Sequence, residues 1–125
     1  MKKIIGMVIL FLLLASQAQA ISEGENLANE KCGSCHLMGQ ITKEKLNRMA
    51  APPYWILGKK VKAVSKNEEE AVNFIVDYVY NPSEDKMLFP KETKERFGLM
   101  PSLKGIVTED ELRSIAKYIL DNASK

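Results

Sequence analysis

Two cysteines and one histidine are all that this chain of 125 residues holds of those types, and the shortage removes whole chemistries. Bis-histidine ligation of a metal within one chain is excluded. A zinc site could draw on Cys32, Cys35 and His36, but no further Cys or His exists to complete four-fold coordination. Aromatic residues make up 7% of the chain, and no Lys/Arg cluster interleaved with them marks a nucleic-acid surface. Long apolar runs are missing too: the stretch from Ile4 to Ala15 is shorter than the ~20 residues that cross a bilayer. There is no repeat, low-complexity tract or dividing linker, and the periodicity is helical rather than alternating.

The one apolar run reads as a leader. Lys2 and Lys3 precede it, and Ala18-Gln19-Ala20 supplies after it the small-x-small pattern at which signal peptidase cuts. The expectation is a signal peptide over residues 1–20, a mature domain over 21–125 and a periplasmic location. Left uncleaved, the same segment would hold the domain on the outer face of the membrane. The chain carries 18 Lys+Arg against 16 Asp+Glu, and the excess is Lys2 and Lys3. The mature domain is therefore formally neutral, and net charge points to neither nucleic acid nor an anionic membrane as partner. Its size suits one domain but gives a small core, which something else would supplement.

The pattern predicts an all-α fold of about four to five helices. Ser22 with Glu25 forms a capping-box pattern for a helix through Glu30 that runs into the cysteines. Thr42 starts a short helix carrying Leu46 and Met49, which Pro52-Pro53 must end. Residues 54–64 give no clear signal. Ser65 with Glu68 opens a helix whose apolar residues, from Ala71 to Val79, cover so much of its circumference that it should be largely buried. Pro90 begins a short helix from Lys91 to Phe97 ended by Gly98, and residues 99–107 form a loop. Thr108 with Glu111 opens a last helix with one apolar stripe, Leu112, Ile115, Ala116 and Ile119, ending near Asp121.

All three scarce residues fall within Cys32-Gly33-Ser34-Cys35-His36. Random placement of two Cys and one His would match this order and spacing roughly once in 8,000 trials, and the pattern is the attachment signature of a c-type haem. The chemistry needs these types at this spacing: each thiol adds to a vinyl group on the porphyrin edge, and the adjacent imidazole reaches the iron. Three other readings compete. A thioredoxin-like Cys-x-x-Cys needs a βαβ context, which is missing; a structural disulfide would close an awkwardly small ring; zinc lacks its fourth ligand. On the opposite side of the iron a methionine is the natural ligand. Met38 lies too close to His36, and Met49 and Met87 have ordinary packing explanations, whereas Met100 sits in the loop Phe97-Gly98-Leu99-Met100-Pro101-Ser102, far enough along the chain to wrap the macrocycle.

With these residues in place the chain resembles the class I monohaem cytochromes c over nearly the whole of 21–125. An N-terminal helix ending in Cys-x-x-Cys-His, a proline-containing loop, a late Met-Pro loop and a C-terminal helix follow in the family's order. The resemblance implies one covalently bound haem c inside the helices. It also implies a close crossing of the first and last helices, at Gly24 and Leu27 against Ile115 and Tyr118. At Ala28, where the family often has an aromatic residue, the sequence departs from it. Ala51-Pro52-Pro53-Tyr54 stands where the family places a proline whose carbonyl accepts a hydrogen bond from the proximal imidazole; Pro52 takes that role, or else Pro53. Trp55 either reaches a haem propionate or packs on the fold. The implied function is a soluble electron carrier, not an enzyme, docking transiently with redox protein donors and acceptors. Its haem edge would lie near Gly33, Ser34, Leu99 and Ser102, with Lys31 or Lys104 orienting the partner. Two alternatives remain: an open-site haem protein for oxygen, nitric oxide or peroxide, and a fixed haem subunit of a larger oxidoreductase.

Overall fold

The computed structural model describes residues 23–123; the expected signal peptide and the Ser22 cap lie outside them. The architecture is all-α. Six helical segments follow in order: α1 (23–32), α2 (Lys43–Arg48), α3 (Tyr54–Val64), α4 (Glu68–Tyr80), α5 (Lys91–Phe97) and α6 (Glu109–Asp121), with one 3-10 turn at Glu84–Lys86. Among the described residues no helix is long and apolar enough to cross a membrane.

The last helix organises the rest. Thr108 and Glu111 close a reciprocal capping box: the Thr108 hydroxyl accepts from the Glu111 N–H at 3.2 Å, and the Glu111 carboxylate accepts from the Thr108 N–H at 3.0 Å. Those bonds hold the Glu111 carboxyl below its usual range. From there α6 buries the four expected residues, Leu112, Ile115, Ala116 and Ile119, and also Tyr118 and Leu120. Full burial of one such aliphatic side chain contributes about 1.5–3 kcal/mol, so this one stripe carries much of the core. α3 and α4 pack against α6 and against each other. α1 crosses it at Gly24, where an added Cβ would stand 2.9 Å from the Ser114 carbonyl and 3.2 Å from the Tyr118 Cβ. Only a residue without a side chain allows that approach. Ala28 is wholly buried beside this crossing, and Leu27 packs on the same cluster.

Several local expectations need correction. Residues 54–64, unassigned from the sequence, form α3, with Pro53 at its N-cap and Gly58 and Val61 buried. α4 is capped by Asn67, whose side chain accepts from the Glu70 N–H at 2.8 Å, and not by Ser65. Ser65 ends α3 instead, its hydroxyl donating to the Val61 carbonyl at 2.7 Å. Asparagine caps as well as serine, and it stands where the chain is already extended. Nor is α4 largely buried. Only Ala71 and Ile75 are, while Val72, Phe74, Val76 and Val79 pack against the core from its margin. α2 ends at Arg48, short of the prolines, and Leu46 is exposed.

Candidate haem-binding site

The five-residue motif begins on the last residue of α1, Cys32, and leaves the helix through a turn over residues 33–36. The Cys32 carbonyl accepts from both the Cys35 N–H (3.2 Å) and the His36 N–H (2.9 Å), so thiols and imidazole emerge from one turn. Both cysteines are free. Cys35 is exposed; Cys32 is half-buried against the core, and that burial, with Cys35 beside it, raises its thiol to about 11. Among the described residues no group of three or more Cys, His, Asp or Glu converges as a metal cluster would.

The imidazole has a defined partner. His36 Nδ1 lies 2.6 Å from the Pro52 carbonyl oxygen. A carbonyl can only accept, so Nδ1 carries the proton and Nε2 keeps its lone pair. Burial lowers the pKa of the ring, the carbonyl opposing in part, which favours the neutral form that binds metals. Pro52 is held there because the Ala50 N–H donates to the Cys35 carbonyl (2.8 Å) and the Tyr54 N–H to the Leu37 carbonyl (3.1 Å). Pro53, the alternative, is instead the buried N-cap of α3. Trp55 stands edge-on to Tyr54, ring centroids 5.2 Å apart, half-buried and with no hydrogen-bond partner among the described residues for its indole N–H.

Met100 belongs to a separate segment. It is half-buried and precedes Ser102, whose hydroxyl donates to the Tyr80 carbonyl (2.7 Å), and Leu103, whose N–H donates to the Val79 carbonyl (3.1 Å). These bonds fasten the Met100 loop to the end of α4; they do not join it to His36. Of the docking residues, Ser34, Leu99, Ser102 and Lys104 are exposed, while Lys31 is half-buried with its ammonium 3.6 Å from Glu30.

The donor set suits a haem on a further observation. From residue 81 to residue 106 no side chain is buried, although Met87, Leu88, Phe89, Phe97, Leu99 and Met100 lie there. Leu88 packs against the margin of the core and Leu99 is exposed, so a run of large apolar groups that the polypeptide covers only in part would suit a flat apolar body such as a porphyrin. Sequence reasoning missed Lys45, Asn29 and the Tyr118 hydroxyl, which brace the loop after His36: Lys45 Nζ donates to the Met38 carbonyl (2.9 Å), and the Gly39 N–H donates to Tyr118 Oη (3.0 Å). Hydrogen bonds to main-chain atoms leave no periodic trace by which to find them.

No protein-family model matches the chain, and no solved structure does. Curated proteins do at low identity. An uncharacterized protein of Aquifex aeolicus is 26% identical over 97% of this chain and 87% of its own length. A cytochrome c6 of Leptolyngbya boryana is 29% identical over 82% of this chain and 92% of its own. Photosystem II extrinsic protein V of a Cyanothece species is 29% identical over 80% of this chain, which spans only 59% of that relative. The all-α order of helices and these distant similarities agree on a cytochrome c-like relationship.

Proposed function

We propose that the protein is an exported electron carrier holding one covalently attached, His/Met-ligated haem. One observation carries the reading: two free thiols and an imidazole on a single helical turn, with the ring nitrogen Nδ1 spoken for by the Pro52 carbonyl and Nε2 left as a ligand. Haem, when bound, supplies an iron that takes and returns one electron. Cys32 and Cys35 would hold it by two thioethers, His36 would ligate it from one side and Met100 from the other. Trp55, whose N–H has no partner among the described residues, would be free to donate to a propionate, or else simply packs on Tyr54. With both axial positions filled, no site opens for a substrate, which is why the chain is read as a carrier and not an enzyme. Its partners are then redox proteins met in the periplasm, and similarity to a cytochrome c6 supports that direction. The protein purified from a host competent in haem attachment should show a c-type spectrum in both oxidation states, and the Cys32→Ala/Cys35→Ala double variant should release its haem into acidified organic solvent. A haem-free wild type, or haem retained covalently by the double variant, would refute the assignment.

A further inference from the structure

The chain between His36 and Pro52 turns back on itself, and its weakest part is α2. That helix has six residues and no buried side chain, and Leu46 is 47% exposed. A helix so short does not stand alone, and no apolar face secures it. Two polar fastenings do. The Thr42 hydroxyl caps its first turn, accepting from the Lys45 N–H at 3.1 Å. Lys45 Nζ then donates to the Met38 carbonyl (2.9 Å), the Gln40 carbonyl (3.0 Å) and Asn29 Oδ1 (3.3 Å). All three ammonium donors are used, on neutral oxygens from two other segments, and no carboxylate among the described residues lies within ion-pair distance of it. Asn29 stands one helical turn before the motif cysteines on α1, fixed through its Nδ2 to the Glu25 carbonyl at 2.9 Å. The loop beneath is crowded: Gly39 has φ +64, and a Cβ there would stand 2.7 Å from the Asn29 amide nitrogen.

We propose that Lys45 is a positioning residue for His36: its ammonium ties α2 to α1 and to the loop carbonyls, and so keeps the Pro52 carbonyl on the imidazole. The inference rests on the reading of His36 as the haem ligand. Its logic is one of leverage. The segment from Met49 to Pro52 is the direct continuation of α2, so the anchoring of α2 acts with the main-chain bonds of Ala50 and Tyr54 in setting where the Pro52 carbonyl points. A lysine is suited to this because its three donors converge acceptors from separate segments, and a charged donor makes stronger bonds than a neutral one.

The test is the exchange rate of the His36 Nδ1–H with water, followed by NMR on ¹⁵N-labelled ferrous holoprotein. Lys45→Met should speed exchange at least about tenfold, as the opened hydrogen bond exposes the proton, and Lys45→Arg, which keeps the charge and several donors, should restore most of the protection. Thr42→Ala serves as the control: it weakens α2 without touching the loop carbonyls, so it should lower thermal stability and leave the exchange near that of the wild type. If Lys45→Met does not accumulate as holoprotein, Lys45→Gln is read in the same way. Unchanged exchange in the Lys45 variants, or equal acceleration by Thr42→Ala, overturns the positioning role while leaving the haem in place. A wild type that carries no covalent haem overturns the functional reading instead, and this inference with it.

Discussion

At the scale of single residues, the candidate site is legible in the sequence because its chemistry is rare. Cys32, Cys35 and His36 exhaust the cysteines and histidines of the chain, so their spacing could be weighed against chance, and Pro52 followed from the family pattern. Lys45 was not legible: one lysine among many, it is set apart only by the three oxygens it meets. Met100 lies between these cases, singled out by its place before Pro101 in a loop fastened at Ser102 and Leu103 to α4. As a thioether ligand it would favour ferrous iron and leave no open position. Met100→Ala should therefore lower the reduction potential, open the site to carbon monoxide and leave covalent attachment intact. The ferric wild type should show a weak sulfur-to-iron band in the far red that the variant lacks. A wild type without that band that already binds carbon monoxide would replace the carrier with the open-site alternative.

At the scale of elements, what could be read depended on whether one face of a helix had to do all the work. α6 has a single apolar stripe and a reciprocal cap, and its residues were foreseen almost one by one. α3 was not, because lysines at 59, 60 and 62 interrupt its apolar positions and a glycine, Gly58, forms part of its buried face. Gly58 is small for the same kind of reason as Gly24: an added Cβ would stand 2.7 Å from the Ile119 carbonyl. Close helix contacts are recorded in a sequence only as missing side chains, which composition cannot distinguish from turns. Gly24 gives the sharper test. Alanine improves helix propensity by about 1 kcal/mol over glycine, yet here its methyl meets a backbone oxygen that cannot move aside, and overpacking of that kind costs about 1–3 kcal/mol. Gly24→Ala should lower the denaturation midpoint of the holoprotein; a raised midpoint would show that α1 and α6 are not locked at this crossing.

At the scale of the whole molecule, a small net charge conceals a separation of charge along the sequence. Lys45, Arg48, Lys59, Lys60, Lys62 and Lys66 follow one another with no acidic residue between them, and then Glu68, Glu69, Glu70, Asp77, Glu84 and Asp85 follow with no basic one. In the fold the acidic block is partly compensated, Asp77 by Lys86, Glu84 by Lys94 and Glu68 by Lys117, so the local arrangement of charge and not the net figure would orient an encounter. Burial is divided as unevenly. α1, α3, α4 and α6 supply the core, while residues 81–106 contribute no buried side chain. If the proposed haem is bound, residues 81–106 would close over it, and their protection would then report on assembly. On the proposed reading, a haem-loaded chain would shield this segment from proteases, and a haem-free one would leave it open to cleavage. Limited proteolysis of haem-free protein should cut first between residues 81 and 106, and the loaded protein should resist there. Equal cutting of both forms at that segment would show that it holds its shape unaided. Defective copies would thus be marked for removal by the very stretch that completes the working ones.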